Sequence, residues 1–324
     1  MLPILLPLLF VFPLSVFAAP ITDISGRVLK EGSHFQRIIS LYPAHTENLA
    51  TLGCTDLLVG ISTGDDFPQS ISSRQRFSYR DNPEKFIAAN PDLILVRPMI
   101  VRAYPQLLSR LQEAGITVVS MQPRSVDEIY SYWRDLASLV GKEERAEQMV
   151  ETFKTALARY AELNSRIAQE EKPWIYFESI HARMKTIAPQ SIAAMVLRYG
   201  GGRNVASDAE ARNSTNIAAY GKEHILSHAA KIDIYLAQKG RMNRVSVEDI
   251  AAEPGFSAIK AVQEKQVYLI DEKLVSRPTM RLLLGIERVR EVIRIFYAYP
   301  PFSPPVSFYN KNDTLQLKRF ILYR

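Results

Sequence analysis

The chain has 324 residues, of which 47% are hydrophobic and 23% charged, so it is long enough for about two globular domains of ordinary composition. Its formal net charge is +6, but the lysines and arginines are spread along the sequence and form no basic run or stripe, which argues against a nucleic-acid partner. The single cysteine, Cys54, excludes an intrachain disulfide, and its leucine neighbours predict a buried side chain.

The first 18 residues contain no charged side chain and are interrupted by prolines. This apolar run is shorter than the roughly 20 residues of a membrane-spanning helix, so it predicts a secretory signal peptide, with an uncleaved anchor as the competing interpretation. Val16 and Ala18 occupy the two positions that a signal peptidase reads, which favours cleavage after Ala18. A lipoprotein would need a cysteine at the cleavage point, and none is there. We therefore expect an exported, soluble protein without a lipid anchor.

Residues 36–141 predict a first α/β lobe, because apolar strand-like segments alternate with amphipathic helices. Such an alternation implies parallel strands joined by right-handed crossovers. The predicted strands span 37–42, 57–62, 92–97 and 117–122, and the predicted helices span 45–52, 104–114 and 126–140, with a short helix at Glu84.

A single long helix is predicted over residues 142–170, between the two halves of the chain. No proline or glycine interrupts this segment, and its apolar residues recur at three- and four-residue steps. A helix of close to thirty residues is roughly 40 Å long. A coiled-coil dimer would use a similar stripe, but the position between two α/β halves favours a rigid connection between two lobes.

The pattern of strands and helices restarts in residues 172–298, which predicts a second α/β lobe. The three glycines at 200–202 follow a helix, so they predict a helix stop and turn and not a phosphate-binding loop. Residues 299–324 begin with a proline-rich stretch and predict a loosely packed tail. The predicted strands span 174–178, 232–237 and 266–270, and the predicted helices span 191–199, 247–251 and 280–296, with a short helix at Glu223.

Two distant segments, residues 82–96 and 221–236, follow one plan. Each opens with a glutamate on a short helix, Glu84 or Glu223, and then enters an apolar strand led by an aspartate. A helix followed by a strand is common in α/β proteins, so the repeat alone is weak evidence. Together with the surrounding pattern, it suggests two similar lobes with a cleft between them.

Enzyme motifs give little support to a catalytic function. The sequence has no Walker loop and no G-x-G-x-x-G after a strand. His224 and His228 lie one helical turn apart and could share a metal, but no third ligand is placed beside them, so ordinary helix histidines are the preferred interpretation. A metal-dependent enzyme using these residues, His45 or His181 is the rival hypothesis. We expect no catalytic residue, no protein-bound metal and no cofactor.

Polar and aromatic residues recur at the ends of the predicted strands, where parallel α/β lobes place their ligands. Arginine forks bind carboxylates and other delocalised anions, and each charge-assisted hydrogen bond contributes about 1.5 to 3 kcal/mol. Several arginines from both lobes therefore predict a site for a bulky anionic ligand. The predicted ligand-binding residues are Tyr42, Tyr79, Arg80, Arg97, Met99, His181, Arg183, Arg241, Met242 and Arg277.

With these features the chain resembles the periplasmic substrate-binding proteins of ABC importers for ferric siderophores, haem and vitamin B12. The resemblance covers about residues 36–298 and depends on the order and spacing of several motifs. These are IISLYPAHTE (38–47), VGIS (59–62), PEKFIAANPDLIL (83–95), the long helix, and SRP (276–278).

The resemblance implies a monomeric receptor of the periplasm that catalyses no reaction. In such proteins two doubly wound α/β lobes are joined by one long helix and hold a small-molecule metal chelate in a shallow cleft between them. One surface glutamate on each lobe docks onto arginines of a membrane permease, which works with an ATPase. By position, these glutamates are Glu84 and Glu223.

The chain departs from the vitamin B12 binders, which carry a tryptophan a few residues before the first docking glutamate. This chain has Ser78, Tyr79 and Arg80 there, and its tryptophans, Trp133 and Trp174, are expected to be structural. Added arginines in place of aromatic platforms favour an anionic ferric siderophore over a corrinoid.

Two alternatives stay open at this point. Haem is one, because its propionates also bind arginine and its iron could take Tyr42, Tyr79 or His181 as a ligand. The other is a secreted interaction or scaffold protein, which would bind no small ligand at all.

Overall fold

The predicted signal peptide (1–18) and the predicted tail (299–324) lie outside the residues that the structure describes. None of the helices in the described part combines the length and hydrophobicity that a membrane crossing requires. The computed structural model describes residues 20–30, 32, 34–123, 125–211 and 216–298.

The first lobe contains a five-stranded parallel sheet. Its strands are β1 (Ile38–Ser40), β2 (Leu58–Ser62), β3 (Gln75–Phe77), β4 (Leu93–Val96) and β5 (Thr117–Ser120), and its helices are α1 (Pro43–Thr51), α2 (Pro83–Ala88), α3 (Pro98–Ala103), α4 (Pro105–Glu113) and α5 (Val126–Ser138). The strand order is β3-β2-β1-β4-β5, so the chain runs from the centre to one edge and then to the other. The carboxyl ends of all five strands share one side of the lobe, with a topological switch point between β1 and β4.

Two elements of this lobe, β3 and α3, were not predicted. β3 has only three residues and two of them are exposed, so it lacks the apolar run that indicates a strand. α3 starts with Pro98 at its first position, directly after β4 and Arg97. The six residues of α3 are too few to show a helical period.

The second lobe contains a mixed sheet, in which parallel strands are extended by an antiparallel hairpin. Its strands are β6 (Trp174–Ile180), β7 (Lys185–Ile187), β8 (Arg203–Asn204), β9 (Ile217–Ala219), β10 (Ile234–Lys239) and β11 (Val267–Asp271). Strands β11, β10 and β6 are parallel, whereas β7 is antiparallel to both β6 and β9, and β8 pairs with β6. Strands β7 and β9 were not predicted, because they have three residues each and show no clear alternation.

Helices cover this sheet, and the last of them packs against the first. They are α7 (Ile192–Gly200), α8 (Lys222–Ser227), α9 (Val247–Ala252), α10 (Lys260–Gln263), α11 (Lys273–Ser276) and α12 (Leu282–Ala298), and they follow α6 (Glu143–Ser165) of the connection between the lobes. α12 contacts α7 along its length. Gly201 ends α7 in the left-handed conformation (φ 101°), so the glycines at 200–202 form a helix stop.

The connecting helix α6 is shorter than expected, with 23 residues and a length of about 34 Å. The chain turns after Ser165 to enter the second sheet, and Asn164 anchors that turn. Its amide donates hydrogen bonds to the carbonyls of Arg198 (3.2 Å) and Tyr199 (2.9 Å) and accepts one from Arg290 (2.8 Å). The predicted apolar stripe is buried along the helix, at Ala146, Met149, Val150, Phe153, Ala156, Leu157 and Tyr160.

The two lobes share one continuous hydrophobic core through α6. Phe153 of α6 packs in the same buried cluster as Ile38 of the first lobe and Ile175 of the second. Cys54, 2% exposed, belongs to this cluster, in agreement with its predicted burial. A shared core of this kind restricts the motion of one lobe relative to the other.

Polar contacts also join the lobes at residues 277–281. The carbonyl of Pro278 accepts hydrogen bonds from the indole N–H of Trp133 (3.2 Å) and from the amide of Asn48 (3.0 Å). Glu47, whose side chain is 2% exposed, forms salt bridges with Arg277 (2.6 Å) and Arg281 (3.0 Å). Trp133 is therefore structural, as predicted.

The sequence repeat corresponds to a shared structural step. In each lobe a six-residue helix, α2 or α8, precedes the strand that pairs with the first strand of that lobe. The aspartate that leads this strand binds the neighbouring backbone: Asp92 accepts from the N–H of Arg37 (2.9 Å) and Asp233 from the N–H of Trp174 (2.8 Å). The aspartates thus have the same structural role in both lobes.

Candidate functional site

A cleft of about 1140 Å³ lies between the two lobes. Side chains at the carboxyl ends of the first-lobe strands form one wall, and residues after β6, β10 and β11 form the other. This is the place where open parallel sheets bind their ligands. A second cavity, of about 700 Å³, lies beside Trp174 and contains none of the predicted ligand residues. The cleft between the lobes is therefore the candidate site.

Eight of the ten predicted ligand residues line this cleft, and they come from both lobes. The structure thus brings together side chains that are up to 235 positions apart in sequence, Tyr42 and Arg277. The eight are Tyr42, Tyr79, Arg80, Arg97, Arg183, Arg241, Met242 and Arg277.

Tyr42 and Arg97 form a pair at the switch point of the first sheet. Tyr42 follows β1 in an extended conformation (φ −143°, ψ 124°), and Pro43 then starts α1 with the φ angle that a helix needs. Arg97 follows β4, and its guanidinium carbon lies 5.2 Å from the centre of the Tyr42 ring, a cation–π distance. Because Tyr42 is only 8% exposed, Arg97 presents the polar atoms of this pair to the cleft.

His45 supports the pair from inside the lobe and is fully buried. Its Nε2 donates to the carbonyl of Val96 (3.0 Å), and its Nδ1 accepts from the hydroxyl of Tyr132 (2.7 Å), as a neutral ring does. The bond to Val96 holds the end of β4, directly before Arg97. Burial is the main cause that lowers the pKa of His45 to about 4; the Val96 bond opposes this shift and the neighbouring Arg97 adds to it.

We expect His45 to make the protein less stable in mild acid. Its folded-state pKa of about 4 lies below the usual 6.5, so the unfolded chain binds the proton more readily. The contribution of His45 is fully present above pH 6.5 and is lost as the pH falls towards 4, at a cost of about 3 kcal/mol in the free energy of unfolding. Urea unfolding at several pH values measures this slope.

The matched variants are His45→Gln and His224→Gln, the second at an exposed helix position. His45→Gln should lose the slope between pH 6.5 and 4, and His224→Gln should keep it. An unchanged slope in His45→Gln would show that other groups cause the acid sensitivity.

Tyr79 and Arg80, which lie before α2 and line the cleft, form a cluster with Tyr104, which lies between α3 and α4. The rings of Tyr79 and Tyr104 lie 4.8 Å apart, and the guanidinium of Arg80 lies 5.9 Å from the Tyr79 ring. Arg80 also donates from Nε to the Tyr104 hydroxyl at 3.4 Å. The aromatic rings orient the exposed guanidinium, which keeps further donors for an anion. Tyr104 was not predicted, because it lies at the start of a helix and not at a strand end.

The second lobe contributes Arg183 and Arg241 to the opposite wall. Arg183 lies in the short turn after β6 and is exposed. Arg241 follows β10, and its backbone N–H donates to the carboxylate of Glu272 at 2.9 Å. A Cβ atom on Gly64, in the first lobe, would lie only 3.0 Å from Nη1 of Arg241. The arginine therefore spans the cleft, and the glycine leaves room for it.

Positive charge dominates the lining of the cleft. Among the described residues, seven basic side chains and two acidic ones, Glu128 and Glu272, line it. Within the same part of the chain, six of the basic groups form no salt bridge: Arg80, Arg97, Arg102, Arg183, Lys185 and Arg241. Arg102 and Lys185 were missed by the sequence analysis because they lie on the unpredicted α3 and β7. The site is therefore built to attract negative charge.

Arg277 has a different role from the one predicted. Its Nη1 lies 2.6 Å from a carboxylate oxygen of Glu47 and 2.8 Å from one of Asp66, both in the first lobe. These two carboxylates already neutralise the guanidinium, so Arg277 mainly joins the lobes beneath the cleft.

Met99 and His181 were predicted to bind the ligand, and the structure places them outside the lining. Met99 belongs to α3 and packs against the core of the first lobe, because the helix turns it away from the strand end. The His181 imidazole lies inside the second lobe, with Nδ1 2.7 Å from the fully buried carboxylate of Glu178. A buried carboxylate requires such a partner, which explains the direction of this side chain.

One serine motif was not identified in the sequence, although residues 60–64 fit the G-x-S-x-G pattern of nucleophile elbows. Ser62 lines the cleft, but its hydroxyl donates to the carboxylate of Asp65 and not to a histidine. Burial raises the pKa of Asp65.

Over the described residues, no group of three or more histidine, cysteine, aspartate or glutamate side chains is placed to hold a metal.

Glu84 and Glu223 occupy equivalent positions, each as the second residue of its short helix, and both are exposed. Neither carboxylate forms a salt bridge with any residue that the structure describes.

Nδ1 of His224 and of His228 donates to the backbone carbonyl four residues earlier, at 3.0 Å and 2.9 Å. Both imidazole rings are thus hydrogen-bonded to backbone carbonyls of their own segment.

Comparison with known proteins places this geometry among transport proteins. The sequence model of the periplasmic binding protein family matches residues 38–274. An ABC transporter substrate-binding lipoprotein of Bacillus subtilis is 27% identical over 281 residues, which cover 86% of both chains. A vitamin B12-binding protein of Vibrio cholerae is 25% identical, over 80% of this chain and 90% of the relative. A possible iron-binding periplasmic protein of Staphylococcus epidermidis superposes with a TM-score of 0.68 at 27% identity, over 80% of this chain and 98% of that structure.

Proposed function

The chain belongs to the periplasmic binding protein family, and from this premise we propose that it captures an anionic metal chelate, a ferric siderophore in the first instance, and delivers it to an ABC permease. The family implies a small-molecule ligand and a permease partner. The charge of the side chains that line the cleft indicates the nature of the ligand.

The observation that supports an anionic ligand is the set of basic side chains on both walls of the cleft that pair with no carboxylate among the described residues. Arg97 comes from the first lobe and Arg183 from the second, and both line the cleft. Bringing such groups together costs electrostatic energy unless a bound anion neutralises them. A chelate of about the cleft's size, carrying several oxygen anions, would accept charge-assisted hydrogen bonds from both lobes.

A corrinoid is the second candidate, because the Vibrio cholerae relative is a vitamin B12-binding protein. The ring of Tyr79, which lines the cleft, offers an apolar contact for a large macrocycle. The excess of unpaired basic groups favours the anionic chelate over this neutral one. Haem is less well supported than before, since His181 is bonded to Glu178 and Tyr42 is 8% exposed.

Delivery to the permease would use Glu84 and Glu223. Their equivalent positions at the start of α2 and α8, together with their exposure, provide one carboxylate on each lobe. Exposed carboxylates that form no salt bridge with the described residues are available to pair with arginines of another protein. We further propose that the protein acts as a monomer, catalyses no reaction, and works with a permease that an ATPase powers.

Export to the periplasm is part of the proposal, with residues 1–18 as a cleaved signal peptide. The Bacillus subtilis relative is named a lipoprotein. In this chain Cys54 lies in the hydrophobic core at 2% exposure, so it is not a site for attaching a lipid.

The proposal is tested by titrating the purified protein with ferric siderophores, haem and cobalamin. We expect a change in the visible spectrum for one chelate and a matching rise in the melting temperature. A ligand at a hundredfold excess over its Kd stabilises the folded state by about 2.7 kcal/mol. A scaffold protein would show neither effect with any member of the panel. Stoichiometric binding of a bare transition metal, with turnover that a chelator abolishes, would instead support a metal-dependent enzyme.

A further inference from the structure

A chain of polar side chains runs through the second lobe, behind the wall of the cleft. It starts at Glu178 on β6, whose carboxylate is fully buried and accepts hydrogen bonds from the Tyr235 hydroxyl (2.5 Å) and the Asn243 amide (3.1 Å). The same carboxylate lies 2.7 Å from Nδ1 of His181. A buried carboxylate with three hydrogen-bond partners holds the side chains around it in fixed positions.

From His181 the chain continues to α8. Nε2 of His181 lies 3.5 Å from the carboxylate of Glu253, which also forms a salt bridge with Lys222, the first residue of α8. A backbone hydrogen bond runs beside it, from the N–H of Gly221 to the carbonyl of Met184 (3.0 Å). The turn after β6 is therefore tied to the start of α8 at two points.

The two ends of this connection serve different surfaces. The turn after β6 carries Arg183, which lines the cleft, and α8 carries Glu223, which is exposed on the outside. We propose that His181 is a positioning residue that fixes the Arg183 turn against the first turn of α8, so that the cleft wall and the docking surface of the second lobe move as one unit. This proposal rests on the proposed function, in which Arg183 contacts the ligand and Glu223 the permease.

The connection is sensitive to pH, because the imidazole lies among charged groups from several elements. Glu178 of β6 is closest, Asp249 and Glu253 approach from α9, and Lys222 reaches Glu253 from α8. The hydrogen bond to Glu178 raises the pKa of His181 above its usual 6.5, against the effect of burial. Below that pKa both ring nitrogens carry a proton, so Nδ1 donates to Glu178 and Nε2 donates to Glu253. Above it only Nδ1 keeps its proton, so the bond to Glu178 remains and the bond to Glu253 is lost.

The sign of the stability effect follows from this shift. The folded-state pKa lies above the unfolded value, so the contribution of His181 is fully present below pH 6.5 and is lost as the pH rises through the folded-state pKa. The tie between the turn and α8 should weaken over the same pH range.

Amide hydrogen exchange of the full chain, measured by NMR, tests the proposal without any ligand. The amide of Gly221 reports the tie to Met184, and the amide of Tyr235, bonded to the Gln266 carbonyl at 3.0 Å, reports the sheet. In the wild type, protection of Gly221, corrected for the intrinsic pH dependence of exchange, should fall about tenfold as the pH rises through the His181 pKa. Protection of Tyr235 should not change.

Three variants separate the roles. His181→Asn keeps a donor for Glu178 but cannot reach Glu253, so Gly221 should be weakly protected at every pH. Glu253→Gln breaks the link from the other side and should reproduce this loss, which keeps the test valid if the first variant does not fold. His34→Asn, at an exposed position before β1 of the first lobe, should retain the wild-type pH dependence.

Gly221 protection that is constant with pH in the wild type would overturn the proposal. Equal protection of Gly221 in the wild type and in both link variants would do the same, as would a loss that extends equally to Tyr235, which indicates a general structural role. Failure of every chelate in the binding panel, with the exchange results as expected, would refute the proposed function and support the connection.

Discussion

Replacing Arg97 and Arg183 together by alanine will weaken the binding of an anionic ferric siderophore by about a hundredfold or more. The variant loses one guanidinium from each wall of the cleft, and each charge-assisted hydrogen bond contributes about 1.5 to 3 kcal/mol, where about 1.4 kcal/mol corresponds to a factor of ten. Binding of cyanocobalamin, which carries no net charge, should weaken by less than about tenfold, since its contacts are mainly apolar. Fluorescence or absorption titrations of both ligands measure the two effects.

The control for this experiment is the double variant Arg110→Ala and Arg288→Ala. Arg110 is exposed and Arg288 is half-buried, and both lie outside the cleft, so the control has the same net charge as the test variant. Its affinity for the chelate should remain within about twofold of the wild type, because charges beyond a Debye length of about 10 Å are largely screened. Equal losses for the charged and the neutral ligand would remove the electrostatic argument for an anionic substrate.

Replacing Glu84 and Glu223 together by alanine will abolish uptake through the permease while the affinity for the ligand stays unchanged. Both carboxylates are exposed, lie on α2 and α8, and are absent from the lining of the cleft. Removing them eliminates one charge pair on each lobe at the contact with the permease, and rim charges of this kind control association. Uptake of labelled chelate by cells, or ATPase stimulation of the reconstituted permease, measures the loss. Each single variant should retain partial activity.

The matched control is Glu143→Ala with Glu248→Ala. These glutamates are also exposed and lie in the first turns of α6 and α9, so the substitution has the same local effect on a helix N-terminus. Uptake should be normal in the control. Normal uptake in the Glu84 and Glu223 variant would refute their docking role, whatever ligand the cleft binds.

The architecture could be predicted because a long segment with a regular spacing of apolar residues indicates a helix or a strand. The stripe of α6, the alternation of strands and helices in each half, and the glycine stop after α7 all appear in the sequence and in the structure. The missed elements include β3, α3, β7 and β9, which have three to six residues and too little periodicity to be recognised. Their absence from the prediction hid the antiparallel part of the second sheet and two basic residues of the cleft.

The location of the candidate site could be predicted from the sequence, whereas many of its side-chain contacts could not. Residues at strand ends were expected to meet, because the carboxyl ends of parallel strands share one edge, and eight of the ten do. The direction of each side chain depends on its neighbours in space. His181 and Arg183 are two residues apart, yet one lies against the buried Glu178 and the other lines the cleft.

The amino-acid sequence by itself determined the two α/β lobes, the helix between them and the strand ends at which the cleft lies. These follow from the burial of whole segments, which leaves a repeated pattern of apolar residues in the chain. Only the tertiary structure decided which charges remain free to bind an anion. Arg277 meets Glu47 across 230 positions of sequence, and Glu178 captures His181 only because β10 and its loop bury that carboxylate. Pairings of this kind depend on distances between atoms that no local pattern records.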